Sequence, residues 1–214
     1  FVMINLGKYQ EALGIIKQDP RNQSANYFSE LAKKAENKGQ IQVAQKLWAM
    51  SVKSQKNDNL KGKKYLEQLI YYAQGENKDR YLQVAKDASS NLLNDELRLE
   101  IKNAALKWHN EEAHYIAKNQ RSSIHFNHTV SLLDIAHQID SEKGLYSFLK
   151  AELYYGANKY QEAFTSYGLA VSEIPSRDTK LLEQNTNGLI ASLSQLTQNK
   201  NDLFYTNMYK ILSD

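Results

Sequence analysis

The sequence predicts an all-α fold, a solenoid of antiparallel helix pairs with about 11–12 helices in a single domain. Only 2 prolines and 9 glycines occur among the 214 residues, which leaves little material for the many tight turns of an all-β protein. Apolar residues recur at helical spacing along most of the chain, and no segment alternates polar and apolar residues over any length. The 42% of hydrophobic residues is sufficient for a packed core and argues against wholesale disorder.

The predicted helices group into six pairs. We expect these pairs to cover residues 1–20, 24–55, 59–93, 95–139, 142–175 and 178–214. Pro20 is predicted to end the first pair, because proline cannot continue a helix, and Ser24 to cap the next helix. Gly39 and Gly75 are the predicted turns of the second and third pairs. The first helix of the third pair is expected to bury a stripe formed by Leu66, Leu69, Ile70 and Ala73.

The two ends and the middle of the chain are less regular. In residues 95–139, the pattern leaves open whether His109 and Asn110 break a helix or lie within a longer one. A long helix is predicted from Asp178 to Gln198 and a final one from Asp202 to Leu212. The first six residues have the pattern of a helix end without its partner, so we expect the chain to be a fragment of a longer polypeptide.

Small residues recur in register in the helix pairs. They are Ala151, Ala163 and Ala170 in one pair, Ala32, Ala44 and Ser51 in another, and Ala12 near the start. A larger side chain at Ala151 or Ala163 would force two helices apart at their closest approach. This pattern, with turn glycines, aromatic residues such as Trp48 and Tyr160, and prolines after second helices, resembles the tetratricopeptide repeat family. The match is strongest in residues 145–175 and 26–54, and the middle fits as lengthened repeats of about 40 residues.

The resemblance implies a non-catalytic scaffold that holds a protein or peptide in a concave groove lined by the first helix of each pair. Projected through the repeat register, the groove positions are Leu145, Phe148, Glu152 and Tyr155 in one pair, and Asn26, Ser29, Lys33, Glu36 and Asn37 in the other. Phe148 and Tyr155 form either an aromatic shelf for a peptide or packing against a neighbouring repeat. Ser29 and Lys33 do not reproduce the family's carboxylate clamp, which argues against binding of chaperone tails.

The sequence contains no evident catalytic or metal-binding constellation. His109 and His114 are five residues apart, so they diverge around a helix and do not match a zinc-protease motif. His125 and His128 have helical spacing but no evident third ligand. Cysteine is absent, which excludes thiolate nucleophiles and disulfides. We therefore predict that the protein is not an enzyme and requires no metal or cofactor.

Charge is unevenly distributed, because residues 1–80 hold 14 Lys and Arg against 8 Asp and Glu, although the net charge is only +3. The basic half peaks at Lys53, Lys56, Lys61, Lys63 and Lys64. This cluster contains no arginine and one nearby aromatic residue, so we expect a solvated loop rather than a nucleic-acid surface. No apolar run approaches the roughly 18 residues of a membrane span, and membrane insertion is not expected.

A protein or peptide partner is therefore the expected ligand. The alternative is that the chain is an accessory or regulatory domain of a larger enzyme or regulator whose active part lies upstream of Phe1. The composition fits the bacterial cytoplasm and the cell envelope equally well, and it leaves the oligomeric state open.

Overall fold

The computed structural model describes residues 25–91, 94–120 and 122–198, together with residue 11. These residues form nine α-helices and no β-strand, which confirms the all-α fold. The helices are α1 (Ala25–Glu36), α2 (Ile41–Lys53), α3 (Asp58–Gln74), α4 (Lys78–Asn91), α5 (Asp95–Ala117), α6 (Ser123–Ile139), α7 (Lys143–Gly156), α8 (Tyr160–Glu173) and α9 (Thr179–Gln198). Pro20, Ser24 and the helices predicted within residues 1–20 and 202–212 lie outside the described residues.

The chain divides into two compact units, an N-terminal unit (Phe1–Leu97) and a C-terminal unit (Arg98–Asp214). In the N-terminal unit, α1 packs against α2, α2 against α3, and α3 against α4. In the C-terminal unit, α6 packs against α7, α7 against α8, and α8 against α9. Helix α5 is continuous through His109 and Asn110, and all of its residues after Leu97 belong to the C-terminal unit. A single domain over the whole chain stays a prediction.

Four helix connections share one turn geometry. Each contains a residue with positive φ: Gly39 at 72°, Glu76 at 53°, Asn119 at 55° and Asn158 at 60°. The next amide donates to the carbonyl five residues earlier, as in Gln40 to Ala35, Asn77 to Tyr72, Gln120 to Tyr115 and Lys159 to Tyr154. This is the Schellman ending of a helix, which satisfies carbonyls that the helix itself leaves without donors. The four turns recur at roughly 40-residue intervals, within the range of known helical repeats.

Small residues lie where the helices approach one another. In the N-terminal unit, Ala32 and Ala44 are at most 1% exposed, and in the C-terminal unit Ala151, Ala163 and Ala170 are completely buried. Alanine at these positions lets neighbouring backbones come close without a side chain between them.

The predicted buried stripe of α3 is wrong except at Leu69. Ile70 is 42% exposed, whereas Lys64, Gln68 and Tyr72 are buried. Lys64 and Tyr72 are buried because the neighbouring helix α1 supplies hydrogen-bond partners for them, which apolar spacing alone does not reveal. Gln68 donates instead to the backbone carbonyl of Lys64 within α3.

Gly144 marks a close approach between the start of α7 and the end of α8. A Cβ atom added at Gly144 would lie 2.6 Å from the backbone nitrogen of Ile174, and backbone cannot rotate away as a side chain can. We expect Gly144→Ala to lower the free energy of unfolding by about 2 kcal/mol. Gly168→Ala is the matched control, because it lies within α8 with no atom within 4 Å of an added Cβ. Gly168→Ala should raise the free energy of unfolding by up to about 1 kcal/mol, because alanine favours the helix more than glycine does. Both variants are measured by urea unfolding, and equal changes in the free energy of unfolding would contradict the close approach at Gly144.

Candidate partner-binding surfaces

The first predicted groove surface is a polar seam between α1 and α3 in the N-terminal unit. Its centre is the carboxylate of Glu67, which accepts hydrogen bonds from Lys33 Nζ at 2.8 Å and from Lys64 Nζ at 2.7 Å. Ser29 is only 1% exposed, and its hydroxyl lies 2.8 Å from that of Ser51. Lys64 Nζ also donates to Asn26 Oδ1 at 2.6 Å. The seam therefore joins α1, α2 and α3 through buried and half-buried polar contacts.

Electrostatics in the seam favours the ionised pair. Burial by itself would raise the pKa of Glu67, but hydrogen bonds from Lys33 and Lys64 lower it overall. Burial would likewise lower the pKa of Lys33, and the contacts with Glu67 and Glu30 raise it overall. The charges of the two lysines are thus balanced by Glu67 and Glu30 of the same unit, which leaves the lysines poorly suited to bind an acidic ligand.

The remaining predicted positions on α1 also contact α3. Tyr72 donates its hydroxyl proton to Glu36 at 2.8 Å, and Tyr71 donates to Asn37 Oδ1 at 3.1 Å. Asn37 is exposed, whereas Lys33 and Glu36 are half-buried. Buried Ser29 is not open to a partner, so the accessible part of this surface consists of Asn26, Lys33, Glu36 and Asn37.

The second predicted surface lies on α7 in the C-terminal unit. Phe148 is only 8% exposed, and its ring centroid lies 6.0 Å from that of Tyr167 on α8. Tyr155 is half-buried and meets Tyr160 edge-on at 5.5 Å, and Leu145 is also half-buried. Of the two aromatic residues, Phe148 therefore packs into the helix contact, and Tyr155 retains an accessible surface.

Glu152 is the predicted position with the most open side chain on α7, with 45% of it exposed. Its Oε2 lies 3.7 Å from Nε2 of His109 on α5, and the side chain of His109 is only 9% exposed. His109 was not predicted as a groove residue, because its five-residue spacing to His114 excludes a zinc-protease motif but does not indicate a groove position. The repeat length could have indicated this position, because His109 precedes Glu152 by about one lengthened repeat.

The histidines do not converge on a metal site. Among the described residues, no three His, Asp or Glu side chains lie close enough together to hold a metal ion. His125 instead lies beside Tyr115, with 6.3 Å between ring centroids. His137 Nε2 lies 2.8 Å from Glu173 Oε1 and links α6 to α8.

The lysine cluster of the N-terminal unit is smaller on the surface than its sequence suggests. Lys64 is 8% exposed and belongs to the polar seam, and Lys61 pairs with Asp58 at 3.0 Å. Lys53, Lys56 and Lys63 are exposed. The exposed part of the cluster therefore consists of three lysines, and Lys61 is half-buried.

A cavity of about 300 Å³ lies between α2, α3 and α4 in the N-terminal unit, with Trp48 and Tyr65 in its lining. Beside it, Gln83 Oε1 accepts hydrogen bonds from Arg80 Nη1 at 3.0 Å and from Gln45 Nε2 at 3.4 Å. The bond from Gln45 connects α2 with α4, the second helices of two consecutive pairs.

Comparison of the chain with family models, with curated proteins and with solved structures returned no match. No helix in the described parts of the chain is long and apolar enough to cross a membrane.

Proposed function

We propose that the chain is a tetratricopeptide-like α-solenoid that binds a protein or peptide segment along the face formed by the first helices of its pairs. The observation that carries this proposal is the repetition of one Schellman turn within four successive helix pairs, between the first and second helix of each pair. A unit that repeats its turn also repeats the direction of its next helix, which is the local condition for a solenoid.

Contacts between consecutive pairs support the same arrangement within each unit. First helices meet first helices, as in Lys33 with Glu67, which are 34 residues apart, and Glu36 with Tyr72, which are 36 apart. Second helices meet second helices, as in His137 with Glu173, also 36 residues apart. Stacking of like helices at this spacing is typical of helical repeats, because each repeat buries its apolar face only against its neighbours.

The composition of the first-helix face favours a polypeptide ligand. In the N-terminal unit it offers the half-buried carboxylate of Glu36 and the exposed amide of Asn37, and in the C-terminal unit the exposed carboxylate of Glu152 and the half-buried ring of Tyr155. Such a mixture provides aromatic contact area together with hydrogen bonds for an extended or helical peptide.

The proposal is tested by selecting peptides from a displayed random library against the full chain and measuring their affinity by fluorescence anisotropy. We expect Tyr155→Ala to weaken a selected peptide by at least about tenfold, the range of an aromatic hot spot. Leu169→Ala is the matched control, because Leu169 is 48% exposed on α8, a second helix. Phe148→Ala is a poor test, since truncating a buried aromatic residue costs about 3–5 kcal/mol of stability.

Far-UV circular dichroism of both variants confirms that helicity is retained. Unchanged affinity in Tyr155→Ala, or an equal loss in Leu169→Ala, would exclude the first-helix face as the binding surface.

A further inference from the structure

The cavity of about 300 Å³ between α2, α3 and α4 lies entirely within the N-terminal unit. Its lining includes accessible apolar surface at Ala49, which is exposed, and at Val52 and Tyr65, which are half-buried. Pockets that bind small molecules begin at about this volume. The cavity therefore fits one small molecule and offers it apolar surface on α2 and α3.

The polar side of the cavity is on α4, where half-buried Arg80 lines it. Arg80 Nη1 donates to Gln83 Oε1 at 3.0 Å, and no carboxylate of the described residues forms an ion pair with the guanidinium group. The other N–H groups of Arg80 are reachable from solvent, because none of them is a buried polar atom without a partner. An arginine presents five N–H donors in a planar fork, so most of these donors are open to a ligand.

Asp87, the carboxylate in the cavity lining, belongs to the opposite end of the cavity. It is exposed, it has further contacts within the chain, and it follows Arg80 by about 10 Å along α4. Burial raises the pKa of Tyr65, Asp87 raises it further, and Lys61 lowers it. The charges of Asp87 and Lys61 therefore oppose each other at Tyr65, and neither balances Arg80 by contact.

The guanidinium charge of Arg80 acts on the inner side of the cavity, at Tyr72. Tyr72 lines the cavity and is only 3% exposed. Its pKa is raised by burial and by its hydrogen bond to Glu36, and Arg80 acts in the opposite direction. The carboxylate of Glu36 accepts that bond at 2.8 Å but forms no ion pair with Arg80 among the described contacts. A cation without a contacting carboxylate, beside apolar surface, is an environment that an organic carboxylate fits.

We propose that this cavity binds a small organic carboxylate that carries an apolar ring. The carboxylate oxygens accept hydrogen bonds from the open N–H groups of Arg80, and the ring packs on Ala49, Val52 and Tyr65. The ligand thus supplies the counter-charge that the described residues do not bring to Arg80. This inference goes beyond the proposed partner-binding function and does not depend on it.

The test is a titration of the full chain with phenylacetate at neutral pH, followed by the fluorescence of Trp48, which lines the cavity. A Trp108→Phe background removes the second of the 2 tryptophans. We expect a saturable change with a dissociation constant on the order of 1 mM, as suits a ligand of this size. Phenylacetamide, which has nearly the same shape without the charge, should bind at least about tenfold more weakly.

Two variants separate the polar and the apolar contributions to binding. Arg80→Gln should weaken phenylacetate at least about tenfold, because it removes the charge-assisted hydrogen bonds. Ala49→Leu keeps Arg80 but puts a larger side chain into the lining, and it should weaken binding to a similar extent. Lys86→Gln is the matched control, because Lys86 is an exposed cation of α4 outside the cavity lining, and it should leave the titration unchanged.

Urea unfolding distinguishes ligand binding from a structural role of Arg80. Saturating phenylacetate should raise the unfolding midpoint of the N-terminal unit in the parent chain but not in Arg80→Gln. A structural role alone would instead lower the midpoint of the ligand-free variant and give no rise with ligand. The absence of a saturable change, equal affinity for phenylacetamide, or full affinity in Arg80→Gln or Ala49→Leu would overturn the proposal.

Discussion

Asp140→Ala is expected to lower the free energy of unfolding of the C-terminal unit by about 3 kcal/mol. The Asp140 side chain is only 5% exposed and lies 2.6 Å from Lys102 Nζ. It accepts a hydrogen bond of 2.7 Å from the hydroxyl of Tyr146, which is fully buried, and another of 2.7 Å from the backbone N–H of Ser141. Removing the carboxylate leaves a buried hydroxyl and a half-buried ammonium group without their acceptor, and it loosens the junction of α6 with α7.

The measurement is urea unfolding followed by tryptophan fluorescence. The chain has 2 tryptophans, Trp48 in the N-terminal unit and Trp108 in the C-terminal unit. In a Trp48→Phe background, Trp108 alone reports on the C-terminal unit.

Asp134→Ala is the matched control for Asp140→Ala. Asp134 pairs with Lys150 at the same distance of 2.6 Å, but 50% of its side chain is exposed. An exposed ion pair contributes little because water screens it, so this control should cost less than about 1 kcal/mol. Equal losses in the two variants would show that the buried network around Asp140 adds nothing.

The contribution of Asp140 should also depend on pH. Burial by itself would raise the pKa of this carboxyl, but Lys102, Tyr146 and the amide of Ser141 lower it below its ordinary value of 3.8. A depressed pKa in the folded state stabilises the fold above the unfolded value and loses that contribution as the pH falls. The stability difference between the wild type and Asp140→Ala should therefore be full at neutral pH and shrink below pH 3.8. A difference that stayed constant through this range would contradict the assigned network.

Glu67→Ala is expected to lower the free energy of unfolding of the N-terminal unit by about 3 kcal/mol. The substitution leaves Lys64, which is 8% exposed, without a counter-charge, and it removes the acceptor of Lys33 at 2.8 Å. Adding Lys64→Met should recover part of the loss, because a buried lysine without a partner costs more than an apolar side chain of similar length. Urea unfolding in a Trp108→Phe background reports this unit through Trp48.

Glu30→Ala provides the control for Glu67→Ala. Glu30 also pairs with Lys33, at 3.3 Å, but its side chain is 61% exposed, so its loss should cost less than about 1 kcal/mol. A Glu67→Ala variant as stable as Glu30→Ala would mean that the seam does not hold α1 to α3.

The helices could be predicted from local sequence because their causes are local. The spacing of Ala44, Leu47 and Trp48 predicts the buried face of α2, and all three residues are buried there. Gly39 was expected in a turn and adopts a φ of 72°. In the following pair, Gly75 also lies in the turn as predicted, but its φ is −84° and Glu76 is the residue with positive φ. The residue that takes positive φ depends on where the preceding helix ends. A helix end can move by one residue without loss of the helix, so the end is harder to predict than the helix itself.

The candidate surfaces could be predicted only in outline. The repeat register identified Glu152 and Tyr155 as accessible positions of α7, but Phe148 on the same face is buried against α8. Glu67 escaped prediction because its partner Lys33 lies 34 residues away on α1. The role of Glu67 arises only when that helix comes within hydrogen-bonding range.

Sequence alone therefore determined the all-α class, most helix positions and the small residues at the helix contacts, since periodicity, caps and side-chain volume act within a few residues. Tertiary structure decided which polar groups are buried and which remain open. Lys64 appears in the sequence as part of an exposed basic cluster, yet it is buried because Glu67, Ser29 and Asn26 surround its ammonium group. Glu152 has no such donors and stays available. The difference is electrostatic: a charge is buried where the fold supplies its counter-charge and hydrogen bonds, and otherwise it stays in contact with solvent or a ligand.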